Sequence, residues 1–147
     1  MILLSSLYPV LTCVLAYAAL GKLGRLAEFI GQLTAYRLLP ARLSRAAAVA
    51  VLAAELGCAG LLVAPVTRTV GALLAAVLFA VFLVAQASAV VRGLLIDCGC
   101  FGGSDELSVV GPVSLARTAL LLAMALAAAL GVLPELVRLL SNQVAPR

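Results

Sequence analysis

VGALLAAVLFAVFLVAQASAVV, residues 70–91, runs from Val70 to Val91 without a formal charge and with Gln86 as its most polar side chain. A helix crossing a bilayer needs about 20 predominantly apolar residues. This stretch has that length, and Ala and Leu recur without the alternation of a barrel strand. It reads as a membrane span, and the residues on either side of it then fall into place.

Upstream, Pro65 and Thr67-Arg68-Thr69 separate it from a second apolar segment, about Ala46 to Val66. A first segment runs from about Ile2 to Gly21 and ends at Lys22. Downstream, a fourth runs from about Pro112 to Leu133, with Pro112 suited to the first helical turn and Gly131 and Pro134 marking its end. The first segment reads as a span and not a cleaved signal, because no positive region precedes the apolar run and no clear small-residue cleavage site follows it. Across 147 residues the chain is 65% hydrophobic and 11% charged, too apolar for a soluble domain of that size. The expected fold is all-α: one integral membrane domain over 1–147, a four-helix bundle in a lipid bilayer, with no convincing internal repeat.

Between spans one and two, Phe29, Ile30, Leu33, Tyr36 and Leu39 recur at helical spacing beside polar residues, which predicts a short interfacial helix over about 26–39, ended by Pro40. With four spans, this stretch and the connector over about 92–111 emerge on one membrane face. That face carries Lys22, Arg25, Arg37, Arg42, Arg45 and Arg92, against Arg68, Arg138 and Arg147 opposite. The positive-inside rule makes it cytoplasmic, whereas stable disulfides belong to exported compartments, so charge and redox logic give opposite orientations. The net charge of +4 is accounted for by loops flanking spans and indicates no nucleic-acid role.

Reactive chemistry concentrates in Cys98-Gly99-Cys100-Phe101-Gly102. Two thiols one residue apart close a very small ring when oxidised, giving a strained, exchangeable disulfide, and Gly99 lets the backbone fold that tightly. Metal capture is the second reading, since paired thiolates attract copper or zinc. The chain has no histidine, however, and four cysteines at different depths make a poor closed tetrahedral site, so no metal ligands are assigned. The third reading is two small residues in a turn. Phe101 reads as an interfacial anchor.

Inside the spans, Glu55, Gln86 and Arg117 are each unfavourable in lipid unless paired or used. By a rise of about 1.5 Å per residue, Glu55 lies roughly 13 Å below the cysteine face, with Gln86 and Arg117 nearer to it. Glu55 and Arg117 form either an ion pair that fixes helix register or a support that holds Arg117 beside the thiols, where a positive charge raises the thiolate fraction. Cys13 and Cys58 fall near mid-span; they read first as small buried hydrophobes and second as relay thiols.

The cysteine run, Tyr36-Arg37-Leu38-Leu39-Pro40, Lys22, Glu55 and Arg117 together resemble the methylamine-utilisation MauE family, a branch of the DoxX-like membrane proteins, over nearly the whole chain. Thr118 departs from it, where asparagine is expected in many relatives. The resemblance implies a four-helix protein of the bacterial cytoplasmic membrane that supports maturation of disulfide-containing exported proteins, commonly with a thioredoxin-like partner. On that basis one thiol attacks a partner disulfide and the other resolves the mixed disulfide. Asp97 opposes ionisation of Cys98, which tilts the attack towards Cys100. Lys22, Tyr36, Leu39 and Pro40 become candidate interface contacts. No cofactor has a diagnostic motif; a quinone between the helices would close the electron route. The non-enzymatic alternative is a scaffold for a maturation complex.

Overall fold

The computed structural model describes residues 2–96 and 110–144. Five helices follow one another: α1 (Ile2–Gly24), α2 (Leu26–Ala35), α3 (Ala41–Val63), α4 (Arg68–Val91) and α5 (Pro112–Val144). Every described element is helical, and α1, α3, α4 and α5 each contain a segment long and apolar enough to cross a membrane. The four pack in the ring order α1, α3, α4, α5 and back to α1, with α2 laid on α3.

Small residues set how closely this ring closes. Ala72, Ala75 and Ala76 of α4 and Ala125 and Ala128 of α5 are buried in the same core that Leu11, Leu15, Leu62 and Phe79 fill. Without a hydrophobic drive between helices in lipid, such small side chains let backbones approach and gain dispersion contacts. Gly71 marks a tight approach of α4 to α3: a Cβ there would lie 2.9 Å from Leu61 Cβ and 3.0 Å from the Leu62 backbone nitrogen. Near the opposite end of α1, the Tyr8 hydroxyl donates to the Ala128 carbonyl at 3.0 Å and Arg68 stacks over the Tyr8 ring.

Two features differ from the sequence expectation. The last helix does not stop at Gly131 or Pro134 but continues to Val144. Proline removes one backbone donor and strains one turn, and a long helix sustains that local loss, as α1 does around Pro9. The short helix ends at Ala35, and it stands along the bundle. Its first turns bring Phe29 close to Lys22, which also lies against Phe82 of α4, whereas Tyr36 at its far end meets Arg92 beyond the end of α4. Phe82 and Arg92 are about 15 Å apart along a helix axis, so α2 climbs beside α3 and faces α4 across a gap.

Both helix ends at this face are sharply made. After α2 the chain turns through Arg37, whose φ of 52° is unusual for a residue with a side chain. Pro40 then leads into α3. At the end of α4, Gly93 takes φ 67°; its N–H donates to Val90 and the N–H of Leu94 donates to Ala89. That is a Schellman cap, which satisfies two terminal carbonyls and turns the chain away from the helix.

Candidate functional site

The charge in the middle of the bundle belongs to a pair. Lys22 Nζ lies 2.5 Å from Glu55 Oε1, and the two side chains are 2% and 1% exposed. Lys22 comes two residues before the end of α1, while Glu55 is fourteen residues into α3, about 21 Å from that helix's start. The α1 terminus therefore lies deep, which is why α2 has to climb. The ammonium is also 5.4 Å from the ring centroids of Phe29 and Phe82, so two aromatic faces share its charge.

This corrects two expectations. Lys22 is not a loop cation of the cysteine face, and the ion-pair partner of Glu55 is Lys22, a place the sequence reading gave to Arg117. Arg117 nevertheless reaches the same locality: with Lys22, Glu55, Phe82 and Thr118 it lines a cavity of about 20 Å³, room for one water. Glu55 Oε2, buried and without a hydrogen-bond partner among the described residues, is the polar atom best placed to use that room.

Next to the pair, the Thr118 hydroxyl donates to Gln86 Oε1 at 3.0 Å, both residues being buried. Lys22, Glu55, Gln86, Arg117 and Thr118, from four helices, thus form one polar cluster inside an apolar bundle. The sequence reading missed Thr118 as a member and Lys22 as the counter-ion. Charge balance says only that Glu55, the sole acid in the four spans, needs a cation within reach, a need that both Lys22 and Arg117 meet.

Towards the connector, Arg92 Nη2 donates to the Tyr36 carbonyl, and Tyr36, Ala89, Ile96 and Val110 form a small buried cluster. The Val110 N–H donates to the Ile96 carbonyl at 2.7 Å. The two ends of the connector are thereby tied together over the end of α4. Burial pushes the Tyr36 phenol up to about 12. Leu39 is exposed and Pro40 caps α3.

Cys98, Gly99, Cys100 and Phe101 lie outside the described residues. Of the mid-span cysteines, both free, Cys58 is buried among Tyr8, Leu11 and Leu62, and Cys13 is exposed on the outer surface of α1. A second cavity, about 310 Å³, occupies the gap between α2 and α4 above α3, with Lys22 and Gln86 in its wall.

Fold and site together define a class: a helical integral membrane protein with a buried ion pair and a dithiol sequence in one interhelical connector. The chain belongs to the MauE family, whose model, described as methylamine utilisation protein MauE, matches residues 1–131. It is 40% identical over 114 residues to the methylamine utilization protein MauE of Methylophilus methylotrophus, covering 77% of this chain and 60% of that protein. It is 42% identical over 120 residues to the MauE of Paracoccus versutus, covering 81% and 64%. The MauE of Paracoccus denitrificans is 40% identical over 116 residues, covering 78% and 61%. The chain thus spans about three-fifths of the length of the curated relatives it matches. No solved structure gives a significant match.

Proposed function

We propose that this chain is a thiol–disulfide redox module of the bacterial cytoplasmic membrane, exchanging electrons through Cys98 and Cys100 with a thioredoxin-like partner. The observation that carries the reading is the Ile96–Val110 hydrogen bond, which fixes both ends of the cysteine-bearing connector against Tyr36 and above the Lys22–Glu55 cluster. Cys98 follows Ile96 by two residues, so the anchor is close to it in sequence. A catalytic thiol pair benefits from presentation on a rigid scaffold at an accessible edge.

In the exchange, one thiolate attacks a partner disulfide, forming a mixed disulfide and releasing one partner thiolate. The second thiolate then attacks the mixed disulfide, which frees the reduced partner and leaves Cys98 bonded to Cys100. Two electrons move from the chain to its partner, and the reverse sequence oxidises the partner. Arg92 and Arg117 are the cations that support thiolate formation. Membership of the MauE family supports a setting in methylamine utilisation, with a disulfide-containing exported protein as the beneficiary.

Replacing both Cys98 and Cys100 by serine tests the reading. Partner maturation, followed by the fraction of correctly oxidised exported protein, should be lost. Full maturation with both thiols absent would instead leave the protein as a scaffold.

A further inference from the structure

We propose that an anionic phospholipid is held at a defined place on this protein, with an acyl chain along the groove between α2, α3 and α4 and its phosphate against Arg37 and Arg92. The site does not depend on thiol exchange.

Three adjoining hollows make up the groove, of about 310, 320 and 520 Å³, and Val81 lines all of them. They follow one stripe of α4, Leu74, Val77, Val81, Ala85 and Ser88, spaced three or four residues apart and so on one helix face. From Leu74 to Ser88 is about 21 Å of helix, more than the about 15 Å of hydrocarbon in one leaflet. An acyl chain reaching down from one membrane face therefore fits lengthwise. Val77, Val81 and Val84 are exposed, so the groove opens sideways to the bilayer and a lipid enters without parting the bundle. The polar groups at its inner edge are already engaged, Lys22 with Glu55 and Gln86 with Thr118, which leaves hydrocarbon to face the chain.

What selects the occupant is the head end. The stripe continues four residues past Ser88 to Arg92, whose Nε donates to the Ser88 carbonyl at 3.3 Å and whose Nη2 donates to the Tyr36 carbonyl. The guanidinium is thus held between the end of α4 and the turn after α2, where Leu38 lines the groove. Those contacts use two of its five N–H groups. Arg37, exposed, stands between Tyr36 and Leu38 in that turn. Arg92 directly follows the span that ends at Val91, and Arg37 precedes the one that begins at Ala41, so both lie at the headgroup layer. Neither has a carboxylate partner among the described residues. Two guanidinium groups there complement a phosphate diester, and they favour a net negative headgroup over a zwitterionic one, whose own ammonium would be brought beside them. An apolar helix would fill the groove but bring no acceptor to either cation.

Native mass spectrometry of the full chain released from micelles, with dioleoyl phosphatidylglycerol and dioleoyl phosphatidylcholine added in turn, tests the site. One phosphatidylglycerol should be retained saturably, at least about tenfold more tightly than phosphatidylcholine. Arg37→Asn, which suits the left-handed backbone, and Arg92→Gln should each weaken phosphatidylglycerol about fivefold and leave phosphatidylcholine unchanged. Ala85→Phe narrows the groove and should weaken both lipids. Arg42→Gln should change nothing, because this exposed cation of the same membrane face is turned about 140° around α3 from the groove-lining Ala47. The comparison of the two lipids uses the unaltered chain and stands even where a variant folds badly. Equal retention of both lipids, or an equal loss in Arg42→Gln, overturns the phosphate site by reducing it to general attraction. Retention untouched by Ala85→Phe overturns the groove as the place of the acyl chain. So does a dimer that Ala85→Phe abolishes, with no lipid retained, which would give the groove to a second copy of the chain. Each of these failures leaves thiol exchange standing.

Discussion

Lys22 and Glu55, thirty-three positions apart in sequence, meet at 2.5 Å in the interior of the bundle and join the end of α1 to the middle of α3. A buried pair of this kind gives little net stability, since both charges lose their hydration, but removal of one partner strands the other. Lys22→Met or Glu55→Gln alone should destabilise the protein by about 3–5 kcal/mol. The double variant should recover a large part of that loss. Thermal unfolding in nanodiscs of all four members of the cycle measures it, and equal, additive losses would remove the coupling argued here.

The α3–α4 contact sets a steric limit. Gly71→Ala places a methyl 2.9 Å from Leu61 Cβ and 3.0 Å from backbone, and backbone yields poorly. The expected loss is about 1–3 kcal/mol, the usual range for overpacking. Gly57→Ala on α3, where a Cβ meets nothing within 4 Å, should be near neutral in the same melt.

Alkaline titration reports on Tyr36. Its folded-state phenol is raised from 10.0 to about 12 because burial disfavours the phenolate. The folded state therefore holds this proton more tightly than the unfolded chain does. The resulting stability is fully present below pH 10 and is lost as pH rises towards 12. Tyr36→Phe should abolish that part of the alkaline decline, read by unfolding at several pH values. An unchanged decline would place its origin in other groups.

Single cysteine variants separate attacking from resolving thiol. Asp97 is next to Cys98 in the sequence, so the proposed exchange expects Cys100 to attack: Cys98→Ser should accumulate a partner adduct through Cys100, visible as a covalent complex on a non-reducing gel, whereas Cys100→Ser should not. The opposite pattern assigns the attack to Cys98. Absence of an adduct from either variant counts against exchange.

The membrane bundle was legible in the sequence because lipid imposes a length and a composition on each span, and residues 70–91 meet both without ambiguity. What resisted reading was partnership between spans. Glu55 was plainly an intramembrane acid, yet nothing local distinguishes Lys22 from Arg117 as its counter-ion. That choice depends on how deep α1 ends, a depth from which α2 then has to climb. Phe29 and Phe82 likewise become neighbours of one ammonium only through that climb. Pro134 misled for a different reason: proline disfavours helix, but its effect is confined to about one turn. Thr118 stood out only as a departure from the family, because its hydroxyl gains meaning only opposite Gln86.

The bond between Ile96 and Val110 has a corollary for insertions. Because that bond holds the chain on either side of residues 97–109 at one point, a change in their number need not displace α4 or α5. Doubling the length of a flexible loop adds only about 0.6 kcal/mol of closure entropy. An insertion there that keeps the Cys98/Cys100 pair should therefore leave the membrane scaffold as it is.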